Sequence, residues 1–204
     1  MIQILAINAP PGSGNVFCQH LFKKNLNAQI KWLNHESLGF DNRENAHNIF
    51  LLRNPYDVIA SGIEIRFLDT VNEEQSRFFD DVDFRIQDKI IRHNSEYNRF
   101  MNLAKRYDNE ITTISFEFLT NTSDKCLEYV SKKFDIPFNE ERWSDERIKE
   151  DIKNSEHVPT RVPREKSEFR KKIDLAVKEN GLLQHTHEQY VLFRDRVQLT
   201  ENMV

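Results

Sequence analysis

The 204-residue chain has no Gly-Lys-Ser/Thr ending on its one glycine-rich loop. A Walker A loop needs that lysine for the terminal phosphates and that hydroxyl for magnesium, so an ordinary ATPase or kinase is disfavoured. Cysteine is scarce: Cys18 and Cys126 are too few for a disulfide framework or a cysteine-based metal site, and both are expected as buried free thiols. No apolar run approaches membrane length, and no signal-peptide pattern precedes the first strand; these absences predict a cytoplasmic protein that does not engage a membrane. There is no excess of positive charge. Lys and Arg number 29 against 33 Asp and Glu, a net charge of -4, so no basic field favours duplex nucleic acid. A local basic pocket for a nucleotide is compatible with that balance. Repeats and low-complexity tracts are absent as well.

What is present suits one domain of residues 1–204: 38% hydrophobic residues, 15 of them Phe, and 30% charged. The pattern along the chain predicts strand 2–8, helix 15–26, strands 29–34 and 48–53, and helix 55–68. After an acidic stretch from Asp69 to Asp83, a long helix carries Ile86, Ile90, Tyr97, Met101, Ala104 and Tyr107 on one stripe. Strand 111–116 and helix 123–135 complete a core of residues 1–138. Residues 139–204 form a more polar helical part, with helices over 141–153 and 165–180 and a proline-broken basic loop, Ser155 to Lys166, between them. Strands alternating with helices predict an α/β fold around a central parallel sheet, with ligands beyond the carboxyl ends of the strands.

Two segments fall at such ends. The nearly continuous apolar run Ile2 to Ile7 leads into Ala9-Pro10-Pro11-Gly12-Ser13-Gly14-Asn15, then into a helical pattern from Val16. Strand, Gly-Ser-Gly turn and helix make a phosphate loop, because glycines let backbone N–H groups close on an anion. Two of the five glycines in the chain sit there. The second segment follows Ile49-Phe50-Leu51-Leu52 and reads Arg53-Asn54-Pro55-Tyr56-Asp57-Val58-Ile59-Ala60-Ser61. Asn54 suits a helix cap, Pro55 its first turn and Asp57 its positive end. A guanidinium, a hydroxyl and a helix start can converge on one phosphate there. The plainer alternative is a capped helix with a surface arginine.

In this order the two segments resemble the sulfotransferase family, whose donor is 3′-phosphoadenosine 5′-phosphosulfate. Pro11 to Phe17 matches that family's Pro-x-Ser-Gly-x-x-aromatic loop, in its Pro-Gly-Ser-Gly-Asn form. Arg53 to Ser61 matches its Arg-Asn-Pro-x-Asp-x-x-x-Ser segment at every defining position, and Ser115-Phe116-Glu117-Phe118-Leu119 resembles its Tyr-Glu-Asp-Leu segment. The resemblance covers residues 1 to about 138. It implies a three-layer P-loop-like fold. Pro11, Gly12, Ser13, Gly14, Asn15 and Val16 would hold the 5′-phosphosulfate, and Arg53 and Ser61 the 3′-phosphate. Phe116, in place of the tyrosine, would stack on adenine or fill core. A C-terminal basic loop implies Arg164 and Lys166 as a clamp on the 3′-phosphate, although the glycine of the family's Arg-Lys-Gly is missing.

The implied reaction moves a sulfuryl group to a hydroxyl or amine of a small-molecule or glycan acceptor, without a metal. The family's base is a histidine just after the second strand, which is His35 here; Glu36 is placed to tune it. His47 is the rival base, but it precedes its strand and belongs at the far edge of the sheet. Gly12 stands where the commonest family loops carry Lys or Arg on the leaving phosphate. Either another cation, such as Arg161, Arg164 or Lys166, serves instead, or the chain keeps the pocket as a nucleotide-binding protein without the chemistry. Lys23 and Lys24 lie too far along the first helix to substitute. His185 and His187 diverge around their helix, which argues against a metal site. The acceptor and the oligomeric state are not legible.

Overall fold

Residues 2–10, 15–33, 41–68, 82–154 and 168–201 are described by the structure, a computed structural model. The order is β1 (Ile4–Asn8), α1 (Asn15–Asn25), β2 (Gln29–Trp32), β3 (Ala46–Leu52), α2 (Pro55–Leu68), α3 (Val82–Arg106), β4 (Ile111–Ser115), α4 (Phe116–Asn121), α5 (Ser123–Phe134), α6 (Asp145–Asn154), α7 (Glu168–Glu179) and α8 (Gly181–Glu201). The four strands form a parallel sheet in the order β2-β1-β3-β4. β1 is buried at every position, as the unbroken apolar run requires of a central strand covered on both faces. β2 alternates exposed and half-buried residues, which suits the sheet's edge.

The pleat sends alternate side chains to opposite faces. Leu5, Ile7, Ile49, Leu51 and Ile114 pack with Cys18, Leu21 and Phe22 of α1 and Cys126, Leu127 and Val130 of α5. Phe50, Leu52 and Ile111 pack with Tyr97, Phe100 and Met101 of α3 and Tyr190 and Phe193 of α8. A third cluster joins α2, α3, α7 and α8 through Ile59, Ile63, Ile90, Ile173 and Leu183. Helices thus cover both faces, consistent with three layers. Cys18 and Cys126 are buried free thiols; burial first, and then the neighbouring Cys126, push the Cys18 thiol well above its usual range. Among the described residues no helix is long and apolar enough to cross a membrane.

Three local expectations change. The strand expected over 111–116 ends at Ser115, whose hydroxyl accepts a hydrogen bond from Phe118 N at 3.1 Å and caps a helix turn. Phe116 therefore opens α4 rather than closing β4. β3 starts at Ala46, two residues early, so His47 lies within the strand, paired with Leu5. Gln3 bonds its ring at 3.0 Å and Phe134 stacks on it at 4.2 Å, which offsets the burial of a polar ring there. α6 starts at Asp145, not 141, because Trp143 is drawn onto α1: its N–H donates to Asn25 Oδ1 at 2.8 Å. Gly181 to Glu201 is one long helix, pinned to α3 where Thr186 Oγ1 donates to Asn94 Oδ1 at 2.7 Å and Asn98 Nδ2 donates to Thr186 Oγ1 at 3.0 Å.

Ahead of β3, the buried Asp41 ties the incoming chain to the sheet. Its carboxylate accepts from Lys31 Nζ and Arg43 Nε, each at 2.8 Å, and its backbone N–H donates to Asn48 Oδ1. The hydrogen bonds from Arg43, then from Lys31, hold its carboxyl well below the usual 3.8. A depressed folded-state pKa stabilises the fold above the unfolded value and loses that effect as pH falls through the folded one. Asp41→Ala should destabilise at pH 7 by about 1–3 kcal/mol, the cost of charged hydrogen bonds. Urea melts at neutral pH and below about pH 4 check this: the gap from wild type should narrow in acid.

Candidate functional site

The chain leaves β1 toward β2 on one side and later builds β3 on the other side of β1, so the direction of winding reverses between β1 and β3. Crevices at such reversals, beyond the carboxyl ends of the strands, are where open α/β sheets bind ligands. Asn8 and Phe50 pair near those ends. From there β1 leads on toward residues 11–14, which lie outside the described residues, and β3 into Arg53.

Arg53 is half-buried and held from two directions. Tyr97, buried on α3, donates its hydroxyl to the Arg53 carbonyl at 2.6 Å and fixes the backbone. The Phe116 ring lies under the guanidinium, with its centroid 4.2 Å from Cζ. Burial pulls the guanidinium pKa below its ordinary value; Asp57 and Glu117 act against this, while Arg170 adds to it. Asn54 caps α2 as its sequence suggests: its Oδ1 accepts from Tyr56 N at 3.0 Å and its carbonyl from Val58 N at 3.1 Å.

Ser61 is half-buried on α2, four residues after Asp57 and three before Glu64, so it neighbours each of them on the helix surface. Glu64 Oε2 accepts from Arg170 Nη1 at 2.6 Å, and Asp174 Oδ1 accepts from Arg170 Nε at 2.8 Å. Burial alone would lower the Arg170 pKa, but its bonds to Asp174 and Glu64 outweigh it, and the net shift is upward. Arg170 is thus fixed between Glu64 of α2 and Asp174 of its own helix. Arg53 just ahead of the start of α2 and the Ser61 hydroxyl about two turns along it are groups that suit a phosphate.

Arg170 was not singled out from the sequence. Its Asp174 partner, four residues on, is readable as a helical pair, but Glu64 lies 106 residues away and only the fold brings it there. Tyr97 and Tyr190 were missed as site residues for the same reason. Burial first, then Glu117, raise the Tyr190 hydroxyl to about 12. His187 stacks on Tyr56 at 4.7 Å, beside the start of α2.

Of the residues expected in the site, Arg53 lies between β3 and α2, Ser61 on α2 itself, and Phe116 at the first position of α4. Asn15 opens α1, and Val16 is exposed in its first turn. Pro11, Gly12, Ser13 and Gly14 lie outside the described residues, as do His35, Glu36, Arg161, Arg164 and Lys166. Lys23 and Lys24 occupy the last turn of α1, the opposite end from the loop; Lys24 sits 3.7 Å from Asp151 and 3.9 Å over Trp143. His47 lies at the amino end of β3, away from the carboxyl-end crevice. Comparison with protein-family models, curated proteins and solved structures finds no match.

Proposed function

We propose that this chain is a sulfotransferase of P-loop-like fold that uses 3′-phosphoadenosine 5′-phosphosulfate as donor. The observation that carries the reading is the placement of Arg53, with Ser61 two helical turns beyond it, at the β1/β3 reversal. Arg53 and Ser61 hold the 3′-phosphate, and the loop from Pro11 to Val16 cradles the 5′-phosphosulfate with backbone N–H groups. Phe116 lies against Arg53, which favours a role on that side chain over adenine stacking.

In the reaction the acceptor oxygen or nitrogen attacks sulfur in line with the bridging oxygen. His35 takes the acceptor proton, the sulfur–oxygen bond to the bridge breaks, and adenosine 3′,5′-bisphosphate leaves with the extra negative charge. Gly12 brings no cation to that charge, so Arg161, Arg164 or Lys166 supplies it. Gly12 also favours one rival: a protein that binds the nucleotide and transfers nothing.

Incubation with radiolabelled phosphosulfate and a cell-extract acceptor pool tests the reading, with donor binding followed in parallel. Labelled product is expected. Donor binding with reproducible absence of product would favour the rival. For Ser61→Ala, thermal melts should stay near wild type while stabilisation by adenosine 3′,5′-bisphosphate shrinks. A lower melting temperature with undiminished nucleotide stabilisation would reduce Ser61 to a helix residue.

A further inference from the structure

We infer that Phe116 is a positioning residue that acts through Arg53 to set preference for a 3′-phosphorylated nucleotide. The inference rests on the proposed 3′-phosphate role of Arg53. The Phe116 ring centroid lies 4.2 Å from the Arg53 Cζ, within the range of a cation–π contact. A guanidinium carries its five N–H groups in its own plane. A partner on its face therefore occupies none of them, whereas a carboxylate would take two.

Arg53 is also partly withdrawn from water, and burial is the largest influence on its pKa. An aromatic face offsets part of that desolvation without neutralising the charge. Asp57 and Glu117 provide counter-charge nearby, and Tyr97 pins the Arg53 carbonyl at 2.6 Å. The ring and the tyrosine thus fix a side chain and its backbone separately. Arg53 then meets an anion in a preset plane, so little rotamer freedom is lost on binding. α4 makes this possible: Ser115 ends β4 and caps the turn, so Phe116 swings onto the neighbouring strand end instead of continuing the sheet.

The test measures affinities for adenosine 3′,5′-bisphosphate and AMP by calorimetry, in wild type, Phe116→Leu, Phe116→Met and Phe116→Tyr. Leu and Met keep apolar bulk without a π face, and either serves if the other folds poorly. Bisphosphate should bind about 3- to 30-fold more weakly to them, the range that a cation–π contact spans. AMP affinity should hold within about twofold, and Phe116→Tyr should behave as wild type. In an Arg53→Ala background, Phe116→Leu should have no further effect, because the ring then has nothing to position. An unchanged preference in Phe116→Leu and Phe116→Met overturns the inference. So does an equal loss for AMP, or a further loss in the Arg53→Ala background. A wild type without preference for bisphosphate removes the 3′-phosphate reading itself; a wild type with it and a neutral Phe116→Leu removes only the role of the ring.

Discussion

Arg53→Ala is expected to weaken adenosine 3′,5′-bisphosphate binding by about 10- to 150-fold, the equivalent of one lost charged hydrogen-bond partner. AMP should be almost unaffected, because it lacks the phosphate proposed for Arg53. The fold should persist. The Arg53 side chain is half-buried at a strand end, and alanine keeps the hydrogen bond that Tyr97 gives to the backbone carbonyl. Arg53→Lys should recover only part of the loss, since an ammonium is a point charge without a planar fork. Calorimetry with both nucleotides and a thermal melt check all three statements. Parallel loss of AMP binding would place Arg53 on a part of the nucleotide common to both ligands.

His35→Ala should lower turnover by about 10²–10⁴-fold and leave donor affinity unchanged, the expected result of losing a general base. The pH profile carries an independent sign. With His35 as the proposed base, the neutral imidazole is the active form, so the wild-type rate should fall toward acid pH. That limb should vanish in His35→Ala. Turnover that survives undiminished in the variant would refute the base. Turnover that falls together with donor affinity would make His35 a binding residue.

The sequence reading succeeded where the signal is local. The apolar runs of β1 and β3, the Asn54-Pro55 start of α2 and the stripe of α3 each follow from the neighbours of a residue, and the sheet order then puts both connections at one reversal. It failed where a distant contact decides. One local signal was also missed: the strand expected over 111–116 stops at Ser115, whose hydroxyl accepts from Phe118 N three residues on and starts a helix. His47 looks too polar for a strand until Gln3 and Phe134 close around it. Arg170 had no mark beyond an i,i+4 partner, because Glu64 and Arg53 reach it only through the packing of α7 on α2.

The central claim is that the crevice beyond β3 recognises a 3′-phosphate. The most direct measurement is calorimetric titration of the wild-type chain with adenosine 3′,5′-bisphosphate, AMP and ATP under one set of conditions. The account predicts bisphosphate binding at least about tenfold tighter than either of the others, as an added charged hydrogen bond implies. Equal affinity for AMP and the bisphosphate would contradict it.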